Sequence, residues 1–286
     1  MIAFTAIARE YVGMRVLLFL AAMAAVCGAD ERFRVVMTEK RGAVVIEDLV
    51  FRNSFHQYDP AYRICPAERK GAAAVLFVHW LEPESATSNR SQFVDEAVEL
   101  AGRGACSLLV STMWAGPDWF LQRDPAKDRV ATRRQGTRLK DALDFLLETP
   151  GLDLSRVAYV GHDFGGMFGA TLAATERRVG VWAFQAATPR WHEWYLLGRK
   201  LEGEAKEKVV KEMADVDPIA SVAAAKGAFL FQFGTNDPYV PKARAEEFFA
   251  AAPEPKKVLY YDAGHGLNEA AKRDRAAWLR EKLKLR

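Results

Sequence analysis

Val157-Ala158-Tyr159-Val160-Gly161-His162-Asp163-Phe164-Gly165-Gly166 reads as a strand that runs straight into a glycine-flanked turn. The apolar run Val157 to Val160 suits a strand buried on both faces. Gly161 and Gly165 lie two positions either side of Asp163. This spacing is required where a strand ends abruptly, one residue takes a strained conformation, and a helix begins. Strand and helix pass too close there for side chains at the flanking positions, and Gly166 adds a third small residue. The turn reads as a nucleophile elbow, with its apex expected to project above the sheet. The apex residue here is Asp163 in place of Ser or Cys. His162 is expected to pack, because neighbouring side chains in so tight a turn point apart.

Working outward, the Val- and Ile-rich segments Phe33 to Met37 and Ala43 to Phe51 flank Thr38 to Gly42, a hairpin signal. Ala72 to Trp80 and Cys106 to Val110 are continuous apolar runs, expected as buried strands. Between them Phe93, Val94, Ala97, Val98, Leu100 and Ala101 recur at helical spacing, and Val130 to Leu147 forms a second amphipathic pattern stopped by Pro150-Gly151. Beyond the elbow come a strand over Val179 to Phe184 and a polar, aromatic interruption from Thr188 to about Val216. A helix near Ile219 to Ala225, a strand Ala228 to Phe233, a helix Ala243 to Ala251, a strand Lys257 to Tyr261 and a terminal helix to Leu285 follow. Alternating strands and helices predict one α/β domain over residues 30–286. Its sheet is mostly parallel, opened by an antiparallel hairpin, with helices on both faces and a short lid at 188–216.

The chain has 286 residues, with 40 basic against 37 acidic side chains. No basic stripe carries interleaved aromatics, which excludes a nucleic-acid partner. The charged run Leu201 to Met213 reads as a solvated helix face. Arg9 and Arg15 precede an apolar run from Val16 to Val26 and the small residues Gly28 and Ala29. That order predicts a secretory signal over residues 1–29 and an exported, periplasmic or secreted, protein. The run is short of the ~20 residues a membrane span needs, so no stable span is expected. Cys65 and Cys106 are expected as two buried small hydrophobes, although an oxidising compartment would permit them to pair. No cofactor or metal is expected: His56, His79, His162, His192 and His265 are not grouped at ligand spacing, and Gly161 to Gly166 lacks the Lys and Ser or Thr of a phosphate loop. Nothing in the sequence fixes the oligomeric state.

In a parallel sheet ligands collect at the carboxyl ends of strands. Four such junctions carry chemistry: His79-Trp80-Leu81-Glu82-Pro83, the elbow, Gly234-Thr235-Asn236-Asp237-Pro238-Tyr239-Val240-Pro241, and Asp262-Ala263-Gly264-His265-Gly266. The order apex, acid, histidine along the chain, with Asp217-Pro218 before the intervening helix, resembles the α/β-hydrolases. In layout it resembles their dienelactone-hydrolase-like branch, from Phe33 to the C-terminus. The resemblance implies a triad of Asp163, His265 and Asp237, and a small-molecule substrate. It also implies oxyanion donors from the backbone N–H of Phe164 and of Trp80 or Leu81. His79 stands where the superfamily has a His-Gly pair and is expected to order that loop, with Trp80 replacing the glycine.

A carboxylate attacking an ester carbonyl gives an unfavourable mixed anhydride. The same carboxylate attacking a saturated carbon that bears a halide, or an epoxide, gives an ordinary ester that His265 can hydrolyse with water. Asp163 thus resembles the nucleophile of dehalogenases and epoxide hydrolases. Two other readings stay open: an ester or lactone hydrolase with an atypical aspartate at the elbow, and a non-catalytic binding member of the fold. Trp191, His192, Trp194 and Tyr195 resemble in composition the halide donors of haloacetate dehalogenases; their plainer role is a hydrophobic lid over the substrate pocket, with Trp114 in the same wall.

Overall fold

The computed structural model describes residues 32–116, 118–199 and 201–286; the expected signal, residues 1–29, lies outside them. Among the described residues one sheet contains β1 (Phe33–Arg41), β2 (Val44–Arg52), β3 (Tyr58–Pro66), β4 (Ala72–Val78), β5 (Ala105–Val110), β6 (Leu152–His162), β7 (Val181–Gln185), β8 (Ala228–Gly234) and β9 (Lys256–Tyr261). Their spatial order is β1-β2-β3-β5-β4-β6-β7-β8-β9. The pairs β1·β2, β2·β3 and β3·β5 are antiparallel, and every later pair is parallel. The helices are α1 (Val94–Gly102), α2 (Trp119–Gln122), α3 (Asp128–Leu147), α4 (Phe164–Ala173), α5 (Trp191–Tyr195), α6 (Gly203–Met213), α7 (Pro218–Val222), α8 (Lys242–Ala251) and α9 (Glu269–Lys282). None of them is long and apolar enough to cross a membrane.

The sheet is buried on both faces because its strands alternate between two apolar sets. Along β4, Ala72, Ala74, Leu76 and Val78 join the cluster containing α3, α4 and α8, while Ala73, Val75 and Phe77 join the cluster of α1 and α9. This is the mixed α/β class expected from the sequence. The chain steps from β4 outward to β5 and then back across to β6, so the carboxyl ends of β4 and β6 lie side by side where the direction reverses. Such a reversal opens a crevice between the loops that leave the two strands. Those loops carry His79 to Leu81 and Asp163.

One strand was not expected. β3 holds Asp59, Pro60, Arg63 and Pro66, which obscure any apolar alternation, yet it pairs with β2 on one side and β5 on the other. Its presence corrects the expectation for the cysteines: Ile64 pairs with Ser107, so Cys65 lies beside Cys106, their Cα atoms are 4.1 Å apart, and the two form a disulfide. The bond closes a separation of 41 residues. Removing that freedom from the unfolded chain is worth about 4 kcal/mol.

Candidate active site

Asp163 joins β6 to α4 with φ 51° and ψ −115°, a left-handed conformation unfavourable for any residue with a β-carbon. The tight packing around it explains the glycines. A β-carbon on Gly161 would collide with the Gly165 backbone, and one on Gly165 with the carbonyls of Val78 and His79. The turn is therefore wedged against the end of β4, and Asp163 is completely buried.

The two carboxylate oxygens of Asp163 have different surroundings. Oδ2 accepts the main-chain N–H of Leu81 at 3.0 Å. Oδ1 has no hydrogen-bond partner among the described residues and lies 3.8 Å from His265 Nε2, which has none either. On the far side of the imidazole, His265 Nδ1 donates to Asp237 Oδ2 at 2.8 Å. Asp237 is fixed in turn because its Oδ1 accepts the N–H groups of Tyr239 and Val240, at 2.8 and 3.1 Å. The structure thus brings Asp163, His265 and Asp237 together, from the ends of β6, β9 and β8.

Burial pushes the Asp163 carboxyl up, with partial relief from His265 and from the Leu81 and Phe164 amides. Burial alone would keep His265 neutral. The carboxylates of Asp163 and Asp237 outweigh it and raise its pKa to about 10. The imidazole and the two carboxylates thus form one coupled electrostatic group.

The loop after β4 is built around one carbonyl. Trp80 O accepts from His79 Nδ1 at 2.7 Å, Trp114 Nε1 at 2.9 Å and Ser88 Oγ at 3.2 Å. With Nδ1 donating, His79 Nε2 accepts the Thr112 hydroxyl at 2.9 Å; burial pushes its pKa down to about 4, so it stays neutral and holds the loop. Of the two alternatives for the second oxyanion donor, Leu81 reaches Asp163. Trp80 does not, because its N–H is committed to Gln92 Oε1 at 2.9 Å.

An acetyl xylan esterase from Paenibacillus sp. R4 superposes on this chain with a TM-score of 0.72 at 17% identity, over 93% of each chain. Acetyl xylan esterase 1 from Thermoanaerobacterium sp. JW/SL YS485 gives 0.71 at 15% identity over 88% of each. A structure described as a dienelactone hydrolase from Klebsiella pneumoniae subsp. pneumoniae MGH 78578 gives 0.60 at 14% identity, over 85% of this chain and 99% of that one. The chain has the α/β-hydrolase fold. No protein-family model and no curated protein sequence matches it.

In this α/β-hydrolase fold, the segment 188–216 folds as α5, α6 and a 3-10 turn, Ala214–Val216, over the elbow. Asp217 anchors it by accepting the Trp191 N–H at 2.8 Å. Most of the expected pocket donors are spent on architecture. Trp191 Nε1 donates to Val216 O at 2.9 Å, the Tyr195 hydroxyl bonds Thr132 at 2.8 Å, and Trp114 Nε1 holds the Trp80 carbonyl. Their rings, with Trp119, pack around Phe164 at centroid distances of 5.5 to 6.0 Å. Trp194 differs. Its ring lies 5.5 Å from His265 and 5.2 Å from Tyr239, and its Nε1 is buried without a partner among the described residues. His192 Nδ1 is likewise buried and unpartnered. Tyr239 was not expected in this wall; its place beside the acid in the motif ending at Pro241 was the only signal.

Proposed function

We propose that this protein is a hydrolase that cleaves a carbon–halogen bond in a small, neutral substrate by carboxylate attack, through an ester on Asp163. The observation that carries this reading is the position of Asp163 Oδ2 on the Leu81 amide. In a serine esterase such a donor must be free for the carbonyl oxygen of the substrate. Here the nucleophile's own oxygen fills the site, which argues against attack on an ester or lactone. It suits the ester that alkylation of Asp163 would create.

The steps follow from the geometry. Oδ1 attacks the saturated carbon and halide leaves with the bonding pair. Esterification removes the Asp163 charge that helps raise the His265 pKa, so the imidazolium loses its proton and becomes a base. His265 then takes a proton from water. Hydroxide adds to the Asp163 carboxyl carbon, and negative charge develops on Oδ2 against the Leu81 amide. Collapse expels the alcohol oxygen, which takes the proton back from His265.

A C–halogen bond fits better than an epoxide. The unpartnered Trp194 indole N–H suits a departing anion but cannot deliver a proton to an epoxide oxygen, and the Tyr195 hydroxyl is occupied by Thr132. Neutrality of the substrate follows from the surroundings. Arg123 is paired with Asp128, and Arg190 with Glu247, leaving a wall of aromatic rings. In oxygen-18 water a single turnover with 1-bromobutane is expected to label the Asp163 carboxylate, read by peptide mass analysis. Label found only in the alcohol sinks the reading.

We also propose export. The Cys65–Cys106 disulfide supports an oxidising compartment. The mature chain is expected to begin close after Ala29 and to contain no free thiol on alkylation under denaturing conditions. A chain that retains residues 1–29 and carries reduced cysteines would count against it.

A further inference from the structure

We infer that Gln92 and His162 form a relay that locks the oxyanion loop to the histidine loop, making them positioning residues for hydrolysis of the ester. The inference rests on the roles given above to Leu81 and His265. Trp80 N–H donates to Gln92 Oε1 at 2.9 Å, Gln92 Nε2 lies 2.6 Å from His162 Nδ1, and His162 Nε2 lies 2.9 Å from the main-chain oxygen of His265. Donor and acceptor roles in this chain are forced. The His265 carbonyl only accepts, so Nε2 carries the proton and Nδ1 is the acceptor. The Gln92 amide must then donate to Nδ1, which leaves its oxygen facing the Trp80 N–H. One tautomer and one amide orientation satisfy every link.

Each end of the relay abuts a group that acts in the second step. Trp80 immediately precedes Leu81, whose N–H holds Asp163 Oδ2, and the other end grips the backbone of His265 itself. The Trp80 ring stacks on His162 at 4.7 Å and covers it. Burial, helped by the charges of His265 and Arg275, holds the His162 pKa well below its ordinary value, so the ring remains a neutral bridge. The position beside the elbow apex is therefore used for alignment. Proton transfer at Asp163 is left to His265.

Two measurements test the relay. Nitrogen-15 NMR of labelled histidine in the wild-type protein is expected to show His162 as the neutral Nε2–H tautomer from pH 5 to pH 9, a range roughly centred on the ordinary histidine titration. A titrating ring or the Nδ1–H tautomer overturns the proposal. Rapid-quench kinetics with 1-bromobutane then compare Gln92→Leu, Gln92→Met and His162→Leu. Ester hydrolysis is expected to slow up to about 100-fold, as small misplacements of reacting groups do, while the bromide burst changes little. The two sites are expected to be non-additive when combined. Equal loss in both steps, tracking the folded fraction by circular dichroism, or additive effects, overturn it. If wild type forms no ester at all, the proposed function fails, and the NMR tautomer still decides whether the relay exists.

Discussion

Replacing His265 with glutamine is expected to stop the reaction halfway and leave an alkyl ester on Asp163. The two half-reactions make different demands on the imidazole. Alkylation needs no base, only an ionised Asp163, whose Oδ1 is bare and whose Oδ2 is held by Leu81. Without the relief that His265 gives, burial raises that carboxyl further, so the burst should grow with rising pH. Hydrolysis needs a base, and His265 Nε2 is the group that faces Oδ1. Removing a general base costs about 10²–10⁴-fold in the step that uses it. His265→Gln should release about one equivalent of bromide per active site from 1-bromobutane, then stall. Intact mass should rise by one butyl group, localised to the peptide containing Asp163. In wild type the hydrolytic step requires neutral His265. The unmodified protein holds that pKa at about 10, and loss of the Asp163 charge lowers it. Ester hydrolysis should therefore fall as pH drops through the lowered value, and should not require pH above 10. Continued turnover in His265→Gln, or no adduct, would remove carboxylate attack from consideration.

Such a step-resolved expectation depends on contacts that only partly show in the sequence. β4 was legible as a continuous apolar run, β6 through its apolar second half Val157 to Val160, and β8 through the mostly apolar run Ala228 to Phe233; their terminal residues mark the site. Local spacing was enough to set Asp163 at the apex, since the close approach of Gly161 and Gly165 to neighbouring backbone leaves no other residue room. β3 was hidden because its pairing with β2 and β5 comes from tertiary context, while Pro60 and Pro66 argue locally against a strand. The disulfide was hidden with it. The choice between Trp80 and Leu81 turns on Gln92, a residue with no motif of its own, so sequence left both open. In the lid, composition grouped Trp191, Trp194 and Tyr195, but only hydrogen bonding separates them. Two donors are already engaged, and Trp194 Nε1 is unpartnered beside the His265 ring.

The elbow carries a second expected result: Asp163→Ser should exchange one activity for another. A serine side chain at the apex cannot reach the amide that Oδ2 now occupies, so the Leu81 N–H would become available to the carbonyl of an incoming ester. Each oxyanion donor is worth about 10²–10³-fold in rate. His265 and Asp237, bonded at 2.8 Å, are already arranged to activate a hydroxyl. Hydrolysis of 4-nitrophenyl acetate should therefore rise at least about 10-fold above wild type, while bromide release from 1-bromobutane falls on the order of 10⁴-fold. The change in sign between the two substrates carries the inference, since a merely damaged protein loses both. Asp163→Asn is the matching control. Its side chain still fills the amide site but has no anionic oxygen to attack, so neither substrate should turn over. If the wild-type protein hydrolyses the acetate faster than Asp163→Ser does, the filled oxyanion site is not the barrier to ester chemistry described above, and Asp163 would have to act as a general base instead.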